Sequence, residues 1–189
     1  MNISGLRQAT VKDHEAVEDL MPLMQMDLRT EDYVRYLGRM FGIVAAWEEQ
    51  AHRTAPDWLC AILAKRERRG LLASDLACFG QTPSADRSRL PPFKDLYSLL
   101  GAMYVMEGST LGGQLISRHV EKTLGFKAGF GDAYFIGHGE QTGRMWKEFC
   151  KMLETSVPEC DAEFVILGAK AMFSAFGEWM RGIPATIDT

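Results

Sequence analysis

The chain has 189 residues, enough for one domain whose core can enclose a cofactor. Hydrophobic residues make up 47% and charged residues 24%, which excludes an intrinsically disordered chain. A net charge of −4 argues against a protein that grips nucleic acid through its phosphates, since that needs a basic excess.

In chain order, Thr10 with Asp13 three residues on predicts the cap of a first helix. Thr30 predicts the cap of a second, along which Tyr33, Tyr36, Leu37, Met40, Phe41, Val44 and Trp47 recur at helical spacing. Pro56 opens a third helix that ends by Gly70, and a shorter one follows over Leu71 to Cys78. The basic run Lys65 to Arg69 reads as a solvated helix end or a docking patch for an acidic protein. Gln81 to Pro92 is loop. Helical pattern returns from Phe93 to about Leu124, with Leu96, Leu100, Met103, Leu111 and Leu115 on one face. Gly125 to Gly139 reads as turn or loop, and helices near 140–156 and 159–180 close the chain. Strand-like alternation is absent throughout, so the expected fold class is all-α, one domain over 1–189.

Met1 to Thr10 has neither a basic start nor an apolar run, so no secretory leader is read there. Phe164 to Met180 is the most apolar stretch, but it is too short, and too charged at Lys170 and Glu178, to span a bilayer. Cys60, Cys78, Cys150 and Cys160 lack zinc-ligand spacing and read as reduced, mostly buried thiols. The expected setting is cytoplasmic, with neither membrane nor nucleic acid as partner.

Glycines interrupt the helical pattern at Gly101, Gly108, Gly112 and Gly113. Each costs about 0.8–1 kcal/mol relative to alanine inside a helix. A kink, or close approach of the backbone to another object, must offset that loss. One explanation is tight helix–helix packing. The other is a flat cofactor lying against the helix. The spacing and the absence of a βαβ pattern make a dinucleotide site a poor fit.

His14 lies on the predicted first helix with Glu18 four residues on, where a carboxylate orients one imidazole nitrogen and leaves the other for a metal. His52, His119 and His138 are taken as surface or satisfied core residues.

Three stretches together resemble the haem oxygenase family, nearest its bacterial biliverdin-producing branch. Arg7 to Glu18 is similar to the family's proximal helix, with His14 at the iron-ligand position and Glu18 as the orienting carboxylate. Tyr104 to Gln114 is similar to its distal helix, and Gly143 to Phe149 to the helix whose basic residues face the haem propionates. Some members carry an aspartate after the first distal glycine, where it organises catalytic water; here Ser109 stands in that place.

The resemblance implies haem sandwiched between a proximal and a kinked distal helix. Haem is then both substrate and prosthetic group, cleaved with dioxygen to biliverdin, carbon monoxide and ferrous iron. It makes His14 the metal ligand and gives Gly108, Ser109 and Gly112 the catalytic face. Arg7, Glu18, Tyr104, Gly113, Arg144 and Lys147 become haem-binding residues. It also implies an external electron donor such as ferredoxin, flavodoxin or a reductase, and allows a biliverdin-accepting photoreceptor downstream. A non-catalytic haem-binding or sensing protein of the same fold is the alternative.

Overall fold

The first helix, α1 (Ile3–Glu18), begins well before Thr10, because the Asn2 side chain accepts from Ser4 N at 2.9 Å and Gly5 N at 3.3 Å. Thr10 is not a cap. It lies buried in mid-helix, where its hydroxyl donates to the Leu6 carbonyl at 2.9 Å. A 3-10 turn, Pro22–Met24, leads to α2 (Thr30–Thr54). The third helix ends sooner than the sequence suggests. α3 (Asp57–Ala64) stops at a turn, and α4 (Arg69–Cys78) starts where Glu48 Oε1 of α2 accepts from Arg68 N and Arg69 N at 2.6 and 3.0 Å. A side chain from another helix therefore caps α4, beyond the reach of local pattern.

The long glycine-containing segment forms two helices, α5 (Leu96–Gly108) and α6 (Gly113–Leu124). Asp95 and Ser98 form a capping box at the start of α5, and Gly125, at φ +70°, closes α6 in the left-handed conformation that favours glycine. A short helix, α7 (Ala133–Ile136), lies within the segment expected to be loop. After a 3-10 turn, Gly139–Gln141, come α8 (Thr142–Ser156) and, beyond a further 3-10 turn, Glu159–Asp161, α9 (Ala162–Arg181).

The computed structural model describes residues 1–182, among which no strand forms. The single domain expected over 1–189 includes positions 183–189, which lie outside the described residues.

α5 is the central helix and is buried on every side from Leu99 to Glu107, which is why its pattern lacks a polar face. It lies along α9 with the two backbones almost touching. A Cβ on Gly101 would run into the Val165 carbonyl, and one on Gly168 into the Ser98 carbonyl. α1 packs on α9 as well, and α2 on α4. Leu6, Leu37, Leu100, Met103, Phe149 and Met172 meet in the shared core, each contributing about 1.5–3 kcal/mol of burial. Cys60 and Cys150 are half-buried and Cys78 and Cys160 exposed, so the expectation of mostly buried thiols fails. Among the described residues no helix is long and apolar enough to cross a membrane.

Candidate functional site

His14 sits at the edge of the buried face of α1, with 55% of its side chain exposed. Its ring meets Phe173 of α9 edge-on, with centroids 6.0 Å apart. Nδ1 lies 3.4 Å from Glu18 Oε2, one turn on. That contact turns Nδ1 toward Glu18 and leaves Nε2 on the far side of the ring. Val11, one turn before His14, is an exposed apolar residue.

Tyr104 lies in the buried part of α5, where burial raises its pKa and Thr10 and Arg7 of α1 oppose the shift. The Trp146 ring from α8 packs against Tyr104 with centroids 5.5 Å apart. Its rim also stands 3.7 Å from where a Cβ on Gly108 would be. Trp146 is thus a site neighbour that the sequence reading passed over, although it lies in the third motif.

The four glycines separate by what surrounds them. Gly101 closes on α9, and a Cβ on Gly113 would run into the Phe135 carbonyl of α7, so both serve helix packing. A Cβ on Gly112 would meet nothing within 4 Å, and one on Gly108 only ordinary contact with Trp146. Packing against backbone explains two of the glycines, Gly108 meets only the Trp146 ring, and Gly112 meets nothing. Leu111 and Leu115 flank this open stretch with 48% and 61% exposure. They do not share the buried face of Leu100 and Met103, because the turn between α5 and α6 swings them outward.

Behind the break lies a buried charged cluster hidden in the run Lys65 to Arg69. Arg66 and Arg68 are not solvated. Arg66 pairs with Glu107 in the last turn of α5 and also donates to the Met145 carbonyl at 3.2 Å. Arg68 donates to the Met106 carbonyl at 2.8 Å and to Ser109 Oγ at 3.2 Å. Ser109 in turn donates to the Met106 carbonyl at 2.7 Å, so its single hydrogen is committed inward. Burial pushes the Glu107 carboxyl up, against the pull of both arginines.

The basic haem-binding candidates are scattered. Arg7 is exposed on α1. Arg144 donates to Gln141 Oε1 at 2.9 Å and lies 3.9 Å from Glu148, and Lys147 is exposed.

Among the described residues no group of three or more metal-ligating side chains forms. A lone histidine suits an iron whose other ligands come from a porphyrin, and an open glycine stretch edged by exposed leucines suits the porphyrin's flat apolar face.

A family model described as "Heme oxygenase" matches residues 2–182. The chain belongs to the haem oxygenase family. A heme oxygenase from Xanthomonas campestris pv. campestris (strain 8004) is 29% identical over 163 residues, covering 83% of this chain and 93% of the relative. The solved structure of the NO- and CO-bound heme oxygenase from Neisseria meningitidis superposes with a TM-score of 0.74 at 21% identity, over 94% of this chain and 89% of that one. Heme oxygenase from Leptospira interrogans gives 0.75 at 18% identity, over 93% and 96%. Both structural matches establish the all-helical haem oxygenase fold, and the family membership makes haem and dioxygen its reactants.

Proposed function

We propose that His14 ligates the haem iron and that the break between α5 and α6 covers the opposite face, in an enzyme that opens haem to biliverdin, carbon monoxide and ferrous iron. The observation that carries this assignment is the contrast among the glycines. Gly101 and Gly113 abut protein backbone, whereas Gly112 abuts nothing.

Haem supplies the redox-active iron and is also the molecule oxidised, with dioxygen and outside electrons consumed. Glu18 Oε2 lies 3.4 Å from Nδ1 of His14, so Nε2 is the ring nitrogen left to ligate the iron. Gly108 and Gly112 let the backbone of the break approach the ring without a Cβ in the way. Ser109, with its hydrogen committed to Met106 and one lone pair taken by Arg68, pins the shape of the break from behind. Arg7 on α1 and Arg144 and Lys147 on α8 are the exposed cations available to the propionates, with the Tyr104 hydroxyl a polar group within the field of Arg7. Gly113 contributes by seating α6 against α7 rather than by touching haem.

Electrons come from an external donor of the ferredoxin, flavodoxin or reductase kind. The setting is cytoplasmic, and a photoreceptor is one acceptor for the biliverdin.

Haem titration of the wild-type protein and the His14→Ala variant tests the ligand assignment. The wild type should give the spectrum of histidine-ligated haem, and the variant should lose it or bind far more weakly. Identical ferric and ferrous spectra would move the ligand to another residue.

A further inference from the structure

Positions 19–29, between α1 and α2, form a strap whose only regular structure is the 3-10 turn Pro22–Met24. Its start moves with α1. The Leu20 and Met21 amides donate to the Val17 and Glu18 carbonyls at 3.1 and 3.0 Å, extending the last turn of the helix that carries His14. Its middle reaches across to α6, where His119 Nε2 lies 3.0 Å from the Gln25 carbonyl oxygen. A carbonyl only accepts, so Nε2 carries the hydrogen and donates. The Thr123 hydroxyl oxygen, 3.2 Å from the same nitrogen, is a second acceptor for that hydrogen.

Among the described residues no other side chain hydrogen-bonds to the strap between Met21 and Leu28. Leu23 and Leu28 are buried, but Met24 and Met26, on either side of Gln25, are 45% and 78% exposed. Packing therefore pins Leu23 and Leu28, and the imidazole holds the stretch between them.

α6 is the firm partner in this contact. Gly113 seats it on the Phe135 carbonyl of α7, and Gln114 Nε2 donates to the Gly139 carbonyl at 2.9 Å. The helix starts at the break, and His119 stands about 9 Å along it from Gly113. The hydrogen bond thus joins the two walls assigned to haem, α1 through the strap and the break through α6.

We propose that His119 is a positioning residue that latches the strap onto α6, tying the His14 wall of the haem slot to the wall formed by the break and slowing the escape of haem. The proposal rests on the haem oxygenase reading above and adds to it a control on substrate residence. Without the latch the strap is held only by Leu23 and Leu28, the two walls separate more readily, and haem leaves sooner with its iron ligand unchanged.

The haem titration comes first, and a wild-type protein that takes up no haem would overturn the parent reading and the latch with it. His119→Leu then removes the donor, and His119→Gln keeps an amide N–H at similar reach. Haem loss to an excess of a scavenging apoglobin should be about tenfold faster from His119→Leu, the effect of one hydrogen bond. Its ferric and ferrous spectra should match wild type. His119→Gln should return the rate to within about twofold of wild type. A merely structural histidine would lower apoprotein melting and leave haem residence unchanged. Hydrogen exchange supplies a readout that needs no variant. Haem and latch hold the same two walls, so each strengthens the other, and the Met24 to Asp27 amides should exchange more slowly once haem is bound. Three results would overturn the latch: haem loss from His119→Leu within about twofold of wild type, equally fast loss from both variants, or strap exchange in the wild type unchanged by haem.

Discussion

The Arg68 guanidinium donates to Ser109 Oγ at 3.2 Å, tying the turn between α3 and α4 to the point where α5 ends. The same guanidinium takes the Met106 carbonyl at 2.8 Å, one of the α5 carbonyls that a continuing helix would have used. The break is therefore held open from behind by a residue 41 positions away in sequence.

The glycines should divide under substitution. Gly112→Ala and Gly108→Ala meet no backbone, and Gly112, at φ −79°, has a conformation that alanine adopts, so apoprotein melting should hold within about 1 kcal/mol. Gly113→Ala and Gly101→Ala drive a methyl into a carbonyl and should lose about 3 kcal/mol. Biliverdin yield per folded molecule should fall in the first pair. Thermal melting with single-turnover assays checks all four, and destabilisation by Gly112→Ala would refute the division.

Arg66 and Glu107 form a buried ion pair with side chains 8% and 7% exposed. Removing one partner strands the other charge, so Glu107→Ala should cost about 3–5 kcal/mol, read by urea denaturation. Replacing both, as Arg66→Met with Glu107→Leu, should recover most of that loss. A single variant as stable as wild type would show that the pair contributes nothing.

Asp132 gives a pH signature. Burial raises its carboxyl pKa, with Glu121 adding to the shift and the Ser117 hydrogen bond opposing it. A carboxyl raised on folding contributes stability that is present below its unfolded value of about 3.9 and lost as pH rises through its folded value. Asp132→Asn removes that contribution. The variant should gain melting temperature relative to wild type as pH rises from about 4 to 7. A difference that stays flat, or slopes the other way, contradicts the assignment.

Arg7 is the stronger propionate candidate, since it lies on the same helix as His14 while Arg144 is engaged by Gln141 and Glu148. Arg7→Gln should weaken haem affinity by about tenfold, the equivalent of one charge-assisted hydrogen bond, or scatter the biliverdin isomers. Arg144→Gln and Lys147→Gln should do less. Haem titration and chromatography of the products separate these outcomes, and an effect confined to Lys147 would reverse the ranking.

Helix positions, the all-α class and the glycine interruption were legible because each leaves a periodic or local trace. The Tyr33-to-Trp47 face of α2 is such a trace. Hidden from that reading were contacts made across the fold. Lys65 to Arg69 looks solvated until Glu107 and Ser109 arrive from α5 to receive two of its arginines. Thr10 fits a capping pattern yet lies inside α1, because Asn2 supplies the cap first. His138 resembles any loop histidine until its nitrogen is seen buried and without a hydrogen-bond partner among the described residues.

The most direct measurement is a turnover experiment on the wild-type protein loaded with one equivalent of haem. A reductase system or ascorbate is added in air, and the absorption spectrum is followed with time. We expect the Soret band to bleach while the biliverdin band grows and carbon monoxide is released. A Soret band that persists in reduced, aerated protein, with no biliverdin formed, would contradict the assignment of this site to haem cleavage.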